Sequence, residues 1–159
     1  MATHELAATP KSNALEPPPK PSSGWTVDLF ASFWAKPSAS MDRIPELVAS
    51  EIIGHWPGGA TLVRGAQAYW RYVVELLNLV PDFRLRVLES ASKGGVHFIL
   101  WEAFGTGPDG PFTCIGCDCI RTRDGIVLEN YVNADHPIFC ALAARVAASS
   151  RETESEGFI

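Results

Sequence analysis

The chain reads as an α+β domain in which helical periodicities come first and consecutive antiparallel strands follow. Three observations carry this reading. Near the start, Trp25, Leu29 and Phe33 lie four apart, and Phe30 and Trp34 make a second, adjacent row. From Phe83 onward the apolar period becomes two. No helical stretch separates the later strands, so a parallel sheet built on crossover helices is excluded.

The elements follow in order. The first helix begins at Trp25 and is ended by Pro37. A second, short helix is predicted from near Pro45, a favourable first-turn residue, with Leu47 and Val48 facing inward. Glu51 to Trp56 reads as a short strand closed by Pro57-Gly58-Gly59. A third helix covers about Gly65 to Leu79. Its residues Tyr69, Trp70, Val73, Val74 and Leu77, with Val80, make one wide apolar face, and Pro81-Asp82 stops it. Phe83, Leu85 and Val87 then alternate with Arg84 and Arg86 in a half-buried strand. Gly94-Gly95 is a turn, residues 96–104 are a longer apolar strand, and the Gly107 to Pro111 segment is a second turn. Residues 112–135 form a long hairpin turning at Asp124-Gly125, and a last helix runs from about Pro137 to Ala147.

At 159 residues with 47% apolar side chains, one domain with its own core is expected. Residues 1–24 contain Pro10, Pro17, Pro18, Pro19 and Pro21 and too few apolar groups to offset ordering entropy. They are read as an extended tail, residues 25–148 as the domain, and residues 149–159, SSRETESEGFI, as a polar C-terminal tail. The net charge is −5, and no Lys/Arg cluster exceeds a pair, so no nucleic-acid partner is indicated. No apolar run approaches membrane-spanning length, and the first residues lack a signal-peptide pattern. A soluble, cytoplasmic protein is the expectation.

The four cysteines are Cys114, Cys117, Cys119 and Cys140. The C-x-x-C-x-C spacing suggests a metal, but a strand puts Cys114 on one face and Cys117 and Cys119 on the other. No matching ligand group follows in the sequence. The cysteines are therefore read as core packing, and no metal and no cofactor is expected.

The hairpin carries the most informative residue. Asp118 stands among Cys, Gly and Ile on its first strand. A carboxyl in such company has its pKa raised, which keeps an acid ready to give or share a proton near neutral pH. The bland alternative is an edge carboxylate paired with Arg121 or Arg84.

Two further segments then suggest a family. Arg64-Gly65-Ala66-Gln67-Ala68 resembles the third-helix start of SnoaL-like polyketide cyclases. Asp124-Gly125-Ile126-Val127-Leu128-Glu129-Asn130 resembles their penultimate turn and last strand. Together, over about residues 25–140, these resemble the wider superfamily of ketosteroid isomerase, limonene epoxide hydrolase, scytalone dehydratase and nuclear transport factor two. The resemblance implies a cone-shaped, strongly curved antiparallel sheet wrapped around three N-terminal helices, with an apolar pocket open at one end. It also implies homodimerisation across the outer sheet face.

Under that resemblance Asp118 matches the strand position where ketosteroid isomerases keep a protonated Asp, with Cys114 and Gly116 as small neighbours leaving room for a ligand. The rest of that enzyme's set is replaced: Trp56 stands at the position of the base, and Ser32 or Phe33 at that of the tyrosine donor. His55 sits at the expected pocket rim, where an imidazole is a natural proton carrier, or it is simply exposed. Glu102 shares a proton with Asp118 if its strand face turns inward, and lies on the outer face otherwise. The alternation of the last strand puts Asn130 on the face of Asp118 as a neutral donor. Trp34, Trp56, Trp101 and Tyr69 are candidate pocket walls, with core packing as the alternative.

The functional expectation is a cofactor-independent acid–base enzyme. It is an isomerase, cyclase, dehydratase or epoxide hydrolase acting on a hydrophobic small molecule such as a polyketide or terpenoid intermediate. Asp118, His55 and Glu102 are its catalytic candidates. The alternative is a non-catalytic binding or dimeric assembly module of the same fold.

Overall fold

The computed structural model describes residues 24–41 and 48–156. The proline-rich tail and most of the short helix expected near Pro45 lie outside the described residues. Val48, assigned to that helix by sequence, instead begins a strand.

Helix α1 spans Val27–Ala35. Thr26 caps it, its hydroxyl accepting from the Leu29 N–H at 3.1 Å, and Asp28 complements the positive end of the helix dipole. A 3₁₀ turn, Pro37–Ala39, follows. Strand β1, Val48–His55, pairs with the two-residue β2, Val63–Arg64. Gly65 then turns into helix α2, Ala66–Leu79, with φ +89°, and its N–H bonds to the Ile52 carbonyl at 2.8 Å. That bond anchors the start of α2 to β1. Tyr72, Val73, Leu76 and Leu77 are the buried stripe of α2.

After α2 the chain crosses to the far edge of the sheet and returns by hairpins. Strands β3 (Arg84–Lys93), β4 (Val96–Gly107), β5 (Gly110–Arg123) and β6 (Ile126–Ala134) form an antiparallel meander. Two turns have both central residues at positive φ, Gly94-Gly95 and Asp124-Gly125, the backbone that matches strand twist in a two-residue hairpin. The meander ends beside β1, giving a six-stranded curved, unclosed sheet ordered β2-β1-β6-β5-β4-β3. β1 and β6 run parallel, so the sheet is mixed rather than purely antiparallel.

Among the described residues α1 and α2 precede the meander and α3, Pro137–Glu156, follows it where a last helix is expected. This last helix runs nine residues past the expected end at Ala147, through most of the segment read as a polar tail. Arg71 explains the extension. Its guanidinium donates to the hydroxyls of Ser150 at 3.4 Å and Thr153 at 3.1 Å, and Arg145 pairs with Glu75 across the same α2–α3 seam. Arg and Glu are also good helix formers.

The inner sheet face presents Leu85, Ile99, Trp101, Ala103, Ile120, Val127 and Val132 to Phe30 and Phe33 of α1, Val73 and Leu76 of α2, and Phe139 and Leu142 of α3. These residues form one contiguous apolar core. Only Asp118 and Asn130 are buried polar side chains among the described residues.

Candidate functional site

Asp118 lies on β5 with its side chain turned to the inner face, and is 4% exposed. Its Oδ1 accepts the Trp101 indole N–H at 2.9 Å, and its Oδ2 accepts from Asn130 Nδ2 at 3.0 Å. Trp101 reaches it from the neighbouring strand, where Trp101 is registered with Gly116. Asn130 reaches it from β6, where Asp118 is registered with Val132 and Ile120 with Asn130. A bulge around Leu128 sets this register: Thr122 pairs with Val127, but Arg121 pairs with Glu129. Without the extra residue, Tyr131 and not Asn130 would share the face of Asp118.

Burial pushes the Asp118 carboxyl up to about 6, against the opposing pull of the Trp101 and Asn130 hydrogen bonds. Two donors offset part of the cost of taking the charge out of water, and they leave a carboxyl that titrates near neutral pH.

The phenol that sequence reasoning missed comes from α2. Asn130 Nδ2 also donates to the Tyr69 hydroxyl, at 2.8 Å. Tyr69 sits in the apolar stripe of the helix, which makes it legible in sequence as a wall; its hydroxyl is the added feature. Burial foremost, then the charge on Asp118, holds its proton well above the ordinary phenol range, with the Asn130 bond acting the other way. With its oxygen already accepting from Asn130, the Tyr69 O–H remains a donor for another group. The signal was a Tyr one turn ahead of Val73 on a helix facing Asp118, visible only once the sheet register is known.

Two small cavities adjoin this cluster. One of about 60 Å³ is lined by Trp25, Phe33, Trp34, Ile52, Tyr69 and Asn130, among others. The other, about 20 Å³, is bordered by Trp34, Trp56, Tyr69, Trp101, Asp118 and Asn130, among others. Trp34, Tyr69 and Asn130 border both. Trp56 is buried and stacks on Tyr72 at a ring separation of 5.1 Å.

The structure does not bring His55 or Glu102 to this cluster. Side chains alternate along a strand, and both fall on the outer parity. His55 stacks on Tyr131, with ring centroids 3.8 Å apart, and its Nε2 lies 3.1 Å from Glu129 Oε2. Glu129 also pairs with Arg121 at 3.4 Å. Glu102 points outward beside Ile115 and pairs with Arg86 of β3. The inner parity of β4 belongs to Ile99, Trp101 and Ala103.

Cys114 and Gly116 do face inward, but Gly116 leaves no room for a ligand. A Cβ on Gly116 would collide with the six-membered ring of Trp101, which fills that space. Cys117 and Cys119 lie on the outer face, as strand alternation requires, and burial raises the thiol pKa of Cys114 and Cys117. No helix among the described residues is long and apolar enough to cross a membrane.

A family model of the SnoaL-like domain matches residues 27–130. No curated protein matches the chain. Solved structures share the fold at low identity. A Catenulispora acidiphila protein of ketosteroid isomerase-like fold, solved in complex with trimethylamine, is 12% identical, with 74% of this chain and 91% of that chain covered and a TM-score of 0.63. A candidate SnoaL-like polyketide cyclase from a Jannaschia species is 16% identical, covering 72% and 88%, with a TM-score of 0.61. IdmH, a candidate polyketide cyclase from Streptomyces antibioticus, is 23% identical, covering 74% and 97%, with a TM-score of 0.58.

Proposed function

We propose, because the chain belongs to the SnoaL-like domain family, that it binds a hydrophobic small molecule beneath α1 and moves a proton on it without a cofactor. A polyketide or related cyclic ketone is the substrate class in view. One observation carries the reading: Asp118 is a buried carboxyl titrating near 6, tied through Asn130 to the Tyr69 hydroxyl beside an apolar cavity.

The roles follow from the atoms. Asp118 is the proton carrier, since a group with a pKa near the working pH both takes and returns a proton effectively. Tyr69 donates to a substrate oxygen and strengthens that bond as the oxygen gains negative charge. Asn130 holds the two in register, one amide hydrogen to each. His55 and Glu102 drop out of the mechanism because both are on the outer face.

Proton abstraction is testable without the natural substrate. In D₂O, the protein is expected to accelerate α-proton exchange on some members of a panel of apolar cyclic ketones, followed by NMR. Asp118→Asn should lose at least about 100-fold of that rate, the usual lower range for a general acid–base group. Equal exchange by wild type and variant would sink the acid–base role.

A second reading has its own observation. The two cavities are small beside the roughly 300–1,000 Å³ of ordinary ligand pockets. Meanwhile the outer sheet face exposes Phe98, Leu100, Ile115 and Tyr131, at 54, 37, 53 and 37%. A contiguous apolar face of this kind supports an assembly module, with two copies packed sheet to sheet. By sedimentation the wild type is then expected at twice the 17.3 kDa chain mass. Ile115→Glu, which puts a charge on that face, should give the monomer. A monomeric wild type removes the dimer.

A further inference from the structure

Two buried side-chain polar atoms among the described residues meet no hydrogen-bond partner: Trp56 Nε1 and Asn130 Oδ1. Both residues border the smaller cavity. They are also held on the same rung of the sheet. Trp56 Nε1 lies 3.3 Å from where a Cβ on Gly54 would stand, and Gly54 is the β1 residue registered with Asn130. A side chain at position 54 would strike the Tyr69 ring at 2.9 Å, so the glycine keeps this approach open.

The orientation of the Asn130 amide follows from its neighbours. Asp118 Oδ2 and the Tyr69 oxygen both accept from Nδ2, and an ionised carboxylate has no proton to offer Oδ1. The amide oxygen is therefore left for something else. Trp56 supplies a donor that cannot accept, and Asn130 an acceptor that cannot donate. Leaving either one buried and unpaired is costly.

A cavity of about 20 Å³ takes one small polar group. The chemistry of the pair says which. An ether or ketone oxygen satisfies Trp56 but gives nothing to Asn130. An ammonium satisfies Asn130 but cannot accept from Trp56. A carboxylate satisfies only Trp56 and meets the charge of Asp118. A hydroxyl, of a ligand or of a single water, accepts from one and donates to the other.

The geometry points to a hydroxyl subsite: Trp56 Nε1 and Asn130 Oδ1 together bind the O–H of an alcohol, phenol or enol whose carbon skeleton lies in the adjoining apolar cavity. This rests on the reading of the interior as a small-molecule site, and goes further by naming the ligand's polar group. It also fits the proposed chemistry, since Asp118 taking the α-proton of a ketone leaves an enolate, and return of that proton to the oxygen gives an enol.

Phenol, toluene and anisole are the probes. They share a ring and differ at one position in whether they donate and accept, accept only, or do neither. Phenol is expected to bind about tenfold more tightly than either analogue, the worth of about one well-placed hydrogen bond to each partner. Trp56→Phe keeps an aromatic ring, removes the N–H, and should bring the phenol preference below about threefold. In the wild type, labelled tryptophan gives an independent readout: of the five indole N–H signals, that of Trp56 should move downfield with phenol and not with toluene. Equal affinities for the three probes, or a phenol preference unchanged in Trp56→Phe with the Trp56 signal still, mean that the pair binds no ligand hydroxyl and overturn the subsite. Those outcomes leave the apolar ligand site standing. Binding of none of the three overturns the subsite and the small-molecule reading together.

Discussion

Asp118→Asn is expected to abolish a loss of stability of about 3 kcal/mol that the wild type suffers as pH rises from roughly 4 to roughly 6. Folding moves this carboxyl from its ordinary 3.8 to about 6, so the native state holds the proton more tightly than the unfolded chain. Below about pH 4 both states are protonated and the group adds no penalty. Above about pH 6 both are ionised, and the native state alone keeps a charge out of water. The contribution is thus fully present at low pH and lost through the folded pKa. Asp82 works in the opposite direction, since its bonds to the Thr106 N–H and hydroxyl lower its pKa. The informative quantity is therefore the change between about pH 4 and about pH 7 in the wild type minus the same change in the variant.

Asn is the right replacement because the cluster accommodates it. Its carbonyl oxygen accepts the Trp101 N–H as the carboxylate does. Its amide donates to Asn130 Oδ1 once the Asn130 amide turns over, and that oxygen has no partner in the wild type. Urea unfolding at the two pH values measures the difference. A value within about 0.5 kcal/mol of zero means that Asp118 titrates like a solvated carboxyl, and the proton-carrier role goes with it.

The sequence exposed the parts of this site that depend on composition and alternation, and hid those that depend on register. An Asp between Cys117 and Cys119 on a strand with Ile120 is visible as an acid in apolar company. The α+β class follows from where period 3.6 gives way to period two. The parallel β1–β6 pairing was not legible, because nothing local to β1 records which strand the meander brings back beside it. Strand faces were equally silent: β4 alternates Phe98, Leu100 and Glu102 with Ile99, Trp101 and Ala103, and both sets are largely apolar. The ladder settles it: Trp101 lies opposite Gly116, and its ring fills the space that a side chain there would take on the inner face. His55 takes the outer of its two possible places, since Gly54, its neighbour, holds the inner position against Tyr69. Helix α3 outran its expected end because tertiary bonds from Arg71 hold residues whose composition alone reads as tail.

Gly116→Ala should be the most damaging single methyl in the sheet. A Cβ there would collide with the edge of the Trp101 six-membered ring and stand 2.7 Å from the Asn133 carbonyl oxygen. Neither obstacle is the loose end of a flexible side chain. Trp101 is 1% exposed and packed in the core, and the Asn133 carbonyl belongs to the adjacent strand. The ring must therefore lift, which strains the packing above it and pulls Nε1 away from Asp118. Overpacking of this kind and the lost charge-assisted hydrogen bond together amount to about 3 kcal/mol. For a domain of this size that is a fall of about 10 °C in Tm. The same displacement removes one of the two donors that hold the Asp118 pKa down, so its titration should move upward as stability falls. Calorimetry reads the first effect and the carboxyl carbon shift of Asp118 against pH reads the second. A Tm within about 2 °C of the wild type would mean that Trp101 is not seated over Gly116. A lowered Tm with an unmoved Asp118 titration would show instead that the indole N–H contributes nothing to the carboxyl's tuning. The two measurements together separate the packing role of the glycine from its role in setting the acid.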